Sequence, residues 1–453
     1  MHGKTRLAAF ETIFNEEEFS LSLDSIKQWI EENQIHTVEV GFGDINGVLR
    51  GKRLPARYFL KAVESGSALA KAVLAWDIQC GVFPGIEVAS FDNGYPDVVM
   101  KPVLSSLKKI PWRPGSAFVL ADLYDEHGYI IDLAPRQVLK KILERANRLG
   151  YRPLVGSELE FYLLDGEKRP LFNGIQCYSL YKGADLEYVI EEIRNGIEAY
   201  GIELEATHIE YGPAQVEIIP EYDDALVMAD KTLIIKNAVR EIARKHGLYA
   251  TFMAKPWAEE SGNGYHVHQS LWDNDLKTNY FESDETITRN YLAGLISTAG
   301  EFMALASPSI NSYKRFKDHS FAPINITWGY DNRTVAVRSL LGQGKSSRFE
   351  HRTGSADANP YLIIAASIAA GLHGIENKLV PPEITAENAY LKDAQLLPKN
   401  LHEALKLLAQ SRAAKEYFGE DFIKLFLTIG RHEVALYEGI VTEWERERYL
   451  EMS

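Results

Sequence analysis

Glu158 and Glu160 stand two apart in an apolar run, Leu154-Val155-Gly156-Ser157-Glu158-Leu159-Glu160-Phe161-Tyr162-Leu163-Leu164. Read as a strand, this run turns both carboxylates to one face and Leu159, Phe161 and Leu163 to the other. Adjacent desolvated carboxylates repel, so the pair calls for a cation between them. A half-exposed edge strand with two solvated glutamates is the alternative on this stretch alone. Further stretches carry acids, histidines and arginines at strand spacing. In His208-Ile209-Glu210-Tyr211-Gly212-Pro213-Ala214-Gln215-Val216-Glu217, a Gly-Pro turn can return Glu217 close to Glu210. Residues 262–270 put His266, His268 and Ser270 on one face after a glycine-rich entry, residues 332–338 supply Arg333 and Arg338, and Arg348-Phe349-Glu350-His351-Arg352 sets an acid between two arginines. Separately, H-x-H and R-x-E-x-R are ordinary strand surface. Gathered at one locus, Glu158, Glu160, Glu210, Glu217, Glu350 and His266 match two or three divalent cations, and so oxygen-rich a set favours magnesium or manganese over zinc. Arginines beside it clamp phosphate or carboxylate with two hydrogen bonds. This is equipment for phosphoryl transfer, where positioning and charge neutralisation do most of the work.

Gly342-Gln343-Gly344-Lys345-Ser346 ends like a phosphate-binding loop, but Ser339 stands where the first glycine belongs, and residues 347–353 read as a strand instead of a helix. A P-loop is rejected, with Lys345 kept as a phosphate contact.

The elements that must position these groups change rhythm along the chain. Helical spacing over 22–34 leads into strands over 37–42 and 48–54 joined by Asp44-Ile45-Asn46-Gly47, and the pattern stays short and strand-rich to about residue 125. Longer units follow: helices over 135–149, 185–200 and 223–246, each ending at a glycine, and strands near 249–254, 264–272, 324–330, 333–339 and 346–353. Several strands are joined by turns too short for parallel crossovers, so a curved, largely antiparallel sheet with helices outside is expected. The apolar stretch 361–375 is shorter than the roughly 20 residues of a membrane span and follows Asn359-Pro360, a cap and first-turn proline. It reads as a buried core helix.

A chain of 453 residues is long enough for a small and a larger unit, and 46% hydrophobic with 25% charged residues is a globular composition. The net charge of −14 argues against nucleic acid. Cys80 and Cys177 form no C-x-x-C and no disulfide framework, which fits a reducing cytoplasm. Residues 1–15 read as a tail without a secretory pattern.

The stretches GSELEFYLL, HIEYGPAQVE, GNGYHVHQSLW, NSYKRF, NRTVAVR, RFEHR and ANPYLIIAASIAAGLHGI resemble those of glutamine synthetases, in that family's order and over nearly the whole chain. The resemblance implies an α+β fold: a small N-terminal β-grasp domain, residues 16–128, and a catalytic domain, residues 129–453, whose curved sheet forms one side of a funnel-shaped site. It implies a ring-shaped homo-oligomer, a dodecamer, in which a neighbour's small domain closes each site. By motif, Glu160, Glu210 and Glu217 match ligands of one metal, and Glu158, His266 and Glu350 those of the other. Glu205, Tyr222, His268, Ser270, Lys345 and Arg348 match nucleotide contacts, Gly262, Arg315 and Arg352 match glutamate contacts, and Arg333 and Arg338 face the phosphates, Arg333, Arg338 and Arg352 being the catalytic arginines. The implied cofactors are ATP and Mg2+ or Mn2+. In the implied reaction the γ-carboxylate of L-glutamate attacks ATP, and an amine displaces phosphate from γ-glutamyl phosphate.

Two departures bear on the amine. The family's Asp-Gly-Ser-Ser loop, whose aspartate helps to bind ammonium, is absent from the corresponding residues 71–78, and the flap glutamate that takes ammonium's proton is replaced by Phe321. With residues 44–53 similar to the γ-glutamylputrescine synthetase branch, the expectation is an ATP-dependent ligase joining glutamate to an organic amine or polyamine such as putrescine, in amine catabolism. Trp76, Asp77 and Phe321 are the candidate amine pocket. Glutamine synthetase using ammonium, and a non-catalytic structural or regulatory relative, are the alternatives.

Overall fold

In the computed structural model, residues 22–452 are described, so the expected tail over 1–15 lies outside them. The first sheet comprises β1 (Thr37–Gly43), β2 (Leu49–Pro55), β3 (Ser67–Ala70), β4 (Asp97–Pro102), β5 (Lys108–Lys109) and β6 (Ser116–Tyr124), in the order β2-β1-β6-β4-β3 with β5 on β6. β1 and β6 run parallel and the other pairs antiparallel. The β1–β2 turn is fastened by Asp44, whose Oδ1 accepts the N–H groups of Asn46 and Val48 at 2.9 Å each. Helix Leu23–Glu32, capped by Ser22, and helix Ala56–Ser65 place Ile26, Ile30 and Phe59 against Val38, Val40 and Val119, giving this sheet its own apolar cluster.

The second sheet is built from β7 (Arg152–Leu164), β8 (Leu204–Ile209), β9 (Gln215–Pro220), β10 (Asp223–Asp224), β11 (Tyr249–Thr251), β12 (Tyr265–Trp272), β13 (Trp328–Tyr330), β14 (Val337–Leu340) and β15 (Arg348–His351). Its order is β13-β14-β15-β12-β7-β9-β8, with β10 and β11 also on β7. Only β13 and β14 pair in parallel, and the other pairs are antiparallel. The β8–β9 hairpin turns at Gly212-Pro213, where a Cβ on Gly212 would lie 1.8 Å from the Tyr162 hydroxyl oxygen. Only glycine fits there.

Leu159, Phe161 and Leu163 of β7 are buried in the main core with Leu233, Ile235 and Val239 of helix Ala225–Lys245. Helix Pro360–Glu376 runs through that core against helices Glu285–Thr298 and Pro135–Arg148. Asn359 caps it with Pro360 in the first turn, as its sequence predicts. It approaches Glu285–Thr298 so closely that a Cβ on Gly294 would stand 2.0 Å from the Ala370 carbonyl oxygen. Among the described residues, no helix is long and apolar enough to cross a membrane. The expected α+β class holds, with the larger sheet mostly antiparallel.

Candidate active site

Strand register gathers the charged groups. Across the larger sheet His266 stands opposite Glu158, His268 and Arg338 opposite Glu350, and Glu160 and His208 opposite Glu217. Opposed residues share a face, so groups far apart in sequence fall in adjacent rows on one surface.

The first knot joins Glu158, His266, His268 and Glu350. Glu158 lies 3.2 Å from His266 Nδ1 and 2.8 Å from His268 Nε2. His266 Nδ1 also lies 3.4 Å from Glu350. Arg348 Nε donates to His268 Nδ1 at 3.1 Å, which leaves Nε2 as the protonated nitrogen facing Glu158. Glu350 is fully buried and ion-paired to Arg352 and, at 3.0 Å, to Arg338. Burial pushes its pKa up, but Arg352 followed by the two histidines outweighs burial and holds it at about 2. Glu158 is likewise held well below the usual carboxylate range, burial being overcome by His268 and His266.

The second knot joins Glu210, Glu217 and His208. His208 Nε2 is 3.0 Å from Glu210 and 3.5 Å from Glu217. Glu217 is pushed up to about 10, first by burial and then by the charges of Glu158, Glu160, Glu210 and Glu350. Here the acids outnumber their partners, whereas Glu350 has arginines. Donor atoms of Glu158, Glu217 and His266, of Glu158, His268 and Glu350, and of His208, Glu210 and Glu217 form three groups, each lying within 4.8 Å of one another. Carboxylate-rich with imidazole, these groups fit hard divalent cations. Glu160 belongs to none of the three: its Oε2 accepts from the Gly264 N–H at 2.7 Å and Gln215 Nε2 at 3.1 Å. Burial raises its pKa, partly offset by His266.

His208 and Gln215 are the groups that reading the sequence passed over. His208 had a legible signal, two residues before Glu210 on one strand. Gln215 did not, because its links to Glu160, to the Gly262 carbonyl at 3.0 Å and to Asn263 at 2.9 Å bridge separate segments.

Arg315 and Arg352 are buried, and each Nε lacks a hydrogen-bond partner among the described residues. Arg315 donates to the Gly354 carbonyl and, at 3.3 Å, to that of Arg352. Burial pushes its pKa down to about 10 despite the nearby Glu160 charge. It fits because residue 262 is glycine: a Cβ there would lie 2.5 Å from Arg315 Cγ. Arg338 bridges Glu350 and Asp331, whereas Arg333 is exposed.

Glu205, Tyr222, His268, Ser270, Lys345 and Arg348 line a single cavity, with Glu158 at its inner wall. Lys345 sits on a short turn, Gly344–Ser346, that runs into β15 with no helix following, in keeping with the rejected P-loop. Phe321, which does not line that cavity, is 47% exposed at φ 58°, its ring centroid 5.4 Å from that of Tyr211. Its carbonyl accepts from Arg352 at 3.0 Å. Trp76 and Asp77 are not brought to Phe321 within the chain. The Asp77 carboxylate caps its own turn through the N–H groups of Gln79 and Gly81, at 2.9 and 2.7 Å, and faces a different cavity.

Fold and site together define an α+β protein whose larger sheet presents paired acid–histidine clusters beside a cavity, with buried arginines at one edge. The chain belongs to the glutamine synthetase family: residues 132–449 match the model of the glutamine synthetase catalytic domain. It is 39% identical to glutamate–isopropylamine ligase of a Pseudomonas species (96% of this chain, 99% of the relative). It is 38% identical to γ-glutamylethanolamide synthetase GlnA4 of Streptomyces coelicolor (95% and 96%) and 34% to γ-glutamylputrescine synthetase PuuA of Escherichia coli (90% and 90%). The solved structure of a GmaS–ADP complex superposes with a TM-score of 0.84 at 32% identity, covering 94% of this chain and 99% of that one.

Proposed function

We propose that this protein is an ATP-dependent ligase that joins the γ-carboxylate of L-glutamate to an organic amine through γ-glutamyl phosphate. In this reading the six residues of the cavity beside Glu158 hold the nucleotide, and Glu158, His266 and Glu350, with Glu160, Glu210 and Glu217, hold the divalent cations. His208 braces the second set. Bound magnesium or manganese supplies charge neutralisation at the transferring phosphoryl group. Arg333 and Arg338 face the phosphates, and Arg315 and Arg352 take the carboxylates of glutamate, a role supported by their buried, unpartnered Nε atoms. Their forks fix the γ-carboxylate for in-line attack.

The observation that carries the amine reading is the exposed Phe321–Tyr211 pair, tied to the site through the Phe321 carbonyl on Arg352 and the Tyr211 N–H on Glu210. An aromatic face cannot accept a proton from ammonium as a carboxylate does, but it covers the methylenes of an alkylamine. Alkylamines are the substrate class we propose. A putrescine-like polyamine, the expectation from sequence, is one member, and the isopropylamine and ethanolamide relatives argue equally for short monoamines. We also propose a domain boundary at 128/129, supported by the separate sheets and apolar clusters, and a ring assembly. In the ring, Trp76 reaches a neighbour's site, which its position away from Phe321 within one chain permits, whereas the Asp77 carboxylate is buried and spent on its own turn.

Phosphate release with ATP, magnesium and glutamate against ammonium, putrescine, spermidine, isopropylamine and ethanolamine tests this function. Saturation by one organic amine at concentrations far below those needed for ammonium is expected. Preference for ammonium would make the protein a glutamine synthetase, and no turnover with any of the five would sink the ligase reading as stated.

A further inference from the structure

The flap that carries Phe321 has no regular structure of its own: none of residues 316–322 lies in a helix or strand. Two of its residues, His319 and Phe321, hold left-handed φ angles of 59° and 58°. Residues other than glycine adopt such angles at a cost, and the angles persist where the surroundings enforce them. Within the flap, the Ser320 hydroxyl donates to the Lys317 carbonyl at 2.6 Å. From outside it, Arg352 donates to the Phe321 carbonyl at 3.0 Å. A further hold comes from Tyr390, 68 residues beyond Ala322 in sequence. Its hydroxyl donates to the Ala322 carbonyl at 3.0 Å, and its ring stacks on the His319 imidazole, with centroids 5.4 Å apart and an angle of 23° between the planes. Tyr390 therefore grips the flap on both sides of Phe321. Burial raises the pKa of its phenol, and the charge of Arg352 only partly offsets this, so the hydroxyl stays protonated and donates.

Tyr390 is itself fixed. It sits in the short turn Ala389–Leu391, capped by Asn388, whose Oδ1 accepts the Tyr390 N–H at 3.1 Å. The Ala389 carbonyl accepts from Asn325 Nδ2 at 2.6 Å, and the Ala389 N–H donates to the Thr334 hydroxyl at 2.9 Å. Asn332 Nδ2 donates to the carbonyls of Thr385 and Glu387 at 3.1 and 2.8 Å. Its Oδ1 accepts from the Thr334 N–H at 2.9 Å and from the Thr334 hydroxyl at 2.7 Å. Asn332 and Thr334 flank Arg333. One segment, 385–391, thus braces the turn that bears Arg333 and, through Tyr390, the flap that bears Phe321.

We infer that Tyr390 is a positioning residue for the amine end of the site: its hydroxyl and ring hold the flap in the left-handed conformation that presents Phe321. The inference rests on the ligase reading above, in which Phe321 faces the amine. Tyr390 touches no substrate in this assignment and acts through the Ala322 carbonyl and the His319 ring. Without it the Phe321 ring samples other positions, and the amine loses its wall. The nucleotide cavity is lined by other segments and includes no flap residue, so binding of ATP is left as it was.

Amide hydrogen exchange and steady-state kinetics on the full-length protein test the assignment with two variants. Tyr390→Phe keeps the ring stack and loses the hydroxyl, and Tyr390→Ala loses both. Amides of residues 316–322 should exchange faster than in the parent, by about threefold or more in Tyr390→Phe and by more in Tyr390→Ala, with no change across β12. The KM for the preferred organic amine should rise by about three- to tenfold in Tyr390→Phe and further in Tyr390→Ala, while the KM for ATP does not move. Flap exchange equal to the parent's in both variants would overturn the hold, whatever the protein turns over. Faster exchange with an unchanged amine KM would overturn the positioning role, as would equal rises in the KM values for amine and ATP. Absence of turnover with any amine in the parent would overturn the ligase reading and the amine role with it, a result distinct from failure of the hold.

Discussion

At the metal and nucleotide end of the candidate site the working side chains stand on paired strands, and at the amine end they stand on loop backbone. Glu158, His266, His268, Glu350 and Arg338 are fixed by the register of β7, β12, β15 and β14, and Glu350 is wholly buried between two arginines. Phe321 and Tyr211 are exposed by 47% and 41%, and Phe321 adopts a left-handed φ of 58° that glycine would favour. Groups that must neutralise phosphoryl charge need fixed geometry, which a sheet supplies. A wall that selects among amines can be altered without disturbing the sheet behind it. In the proposed function the difference separates chemistry from specificity, and it can be attacked from either end.

The largest effect is expected at the strand end. Glu350→Ala leaves Arg352 as a buried, uncompensated cation and Arg338 with Asp331 alone, a change that costs about 3–5 kcal/mol in comparable ion pairs. Phosphate release should fall at least about a thousandfold, with a lowered melting temperature. Substantial activity in a folded variant would remove Glu350 from the proposed metal set.

The reverse side of β15 provides the next measurement. His351 is buried, held between the Ser367 hydroxyl at 3.0 Å and the Thr353 hydroxyl at 2.9 Å, and burial pushes its pKa from 6.5 down to about 4. The unfolded chain takes up this proton below about pH 6.5 while the folded one stays neutral until about 4, so stability falls as pH drops through that window. The loss attributable to this residue is on the order of 2–3 kcal/mol. Denaturant unfolding of His351→Gln at several pH values should give a flatter slope than the parent. An equal slope would mean that the imidazole is not held neutral.

At the loop end, Phe321→Glu places a carboxylate beside Arg352 and should move the ratio of kcat/KM for ammonium over the best organic amine by about tenfold or more toward ammonium. An unchanged amine profile would detach Phe321 from the amine. Tyr211→Ala is expected to be milder, raising the KM for the amine by about three- to tenfold through loss of one ring face. The KM for ATP should stay constant, and a parallel rise in it would show that the two ends are not separable.

From sequence alone, the E-x-E strand, the H-x-H strand, the Gly-Pro turn and the capped apolar helix after Asn359 could be read, because each rests on local periodicity or on a residue with restricted backbone geometry. The departure at Phe321 was legible for the same reason, as one residue type in a recognisable motif. Register was beyond reach: that Glu217 faces both Glu160 and His208, and His268 both Glu350 and Gly156, follows from pairing between segments tens of residues apart. A slip of one residue would have turned either set to the opposite face. The bridging of Gln215 and the engagement of Asp77 in its own turn were likewise decided by tertiary structure. Whether a charge is paired depends on what the fold brings within hydrogen-bond reach, and no spacing along the chain encodes that distance.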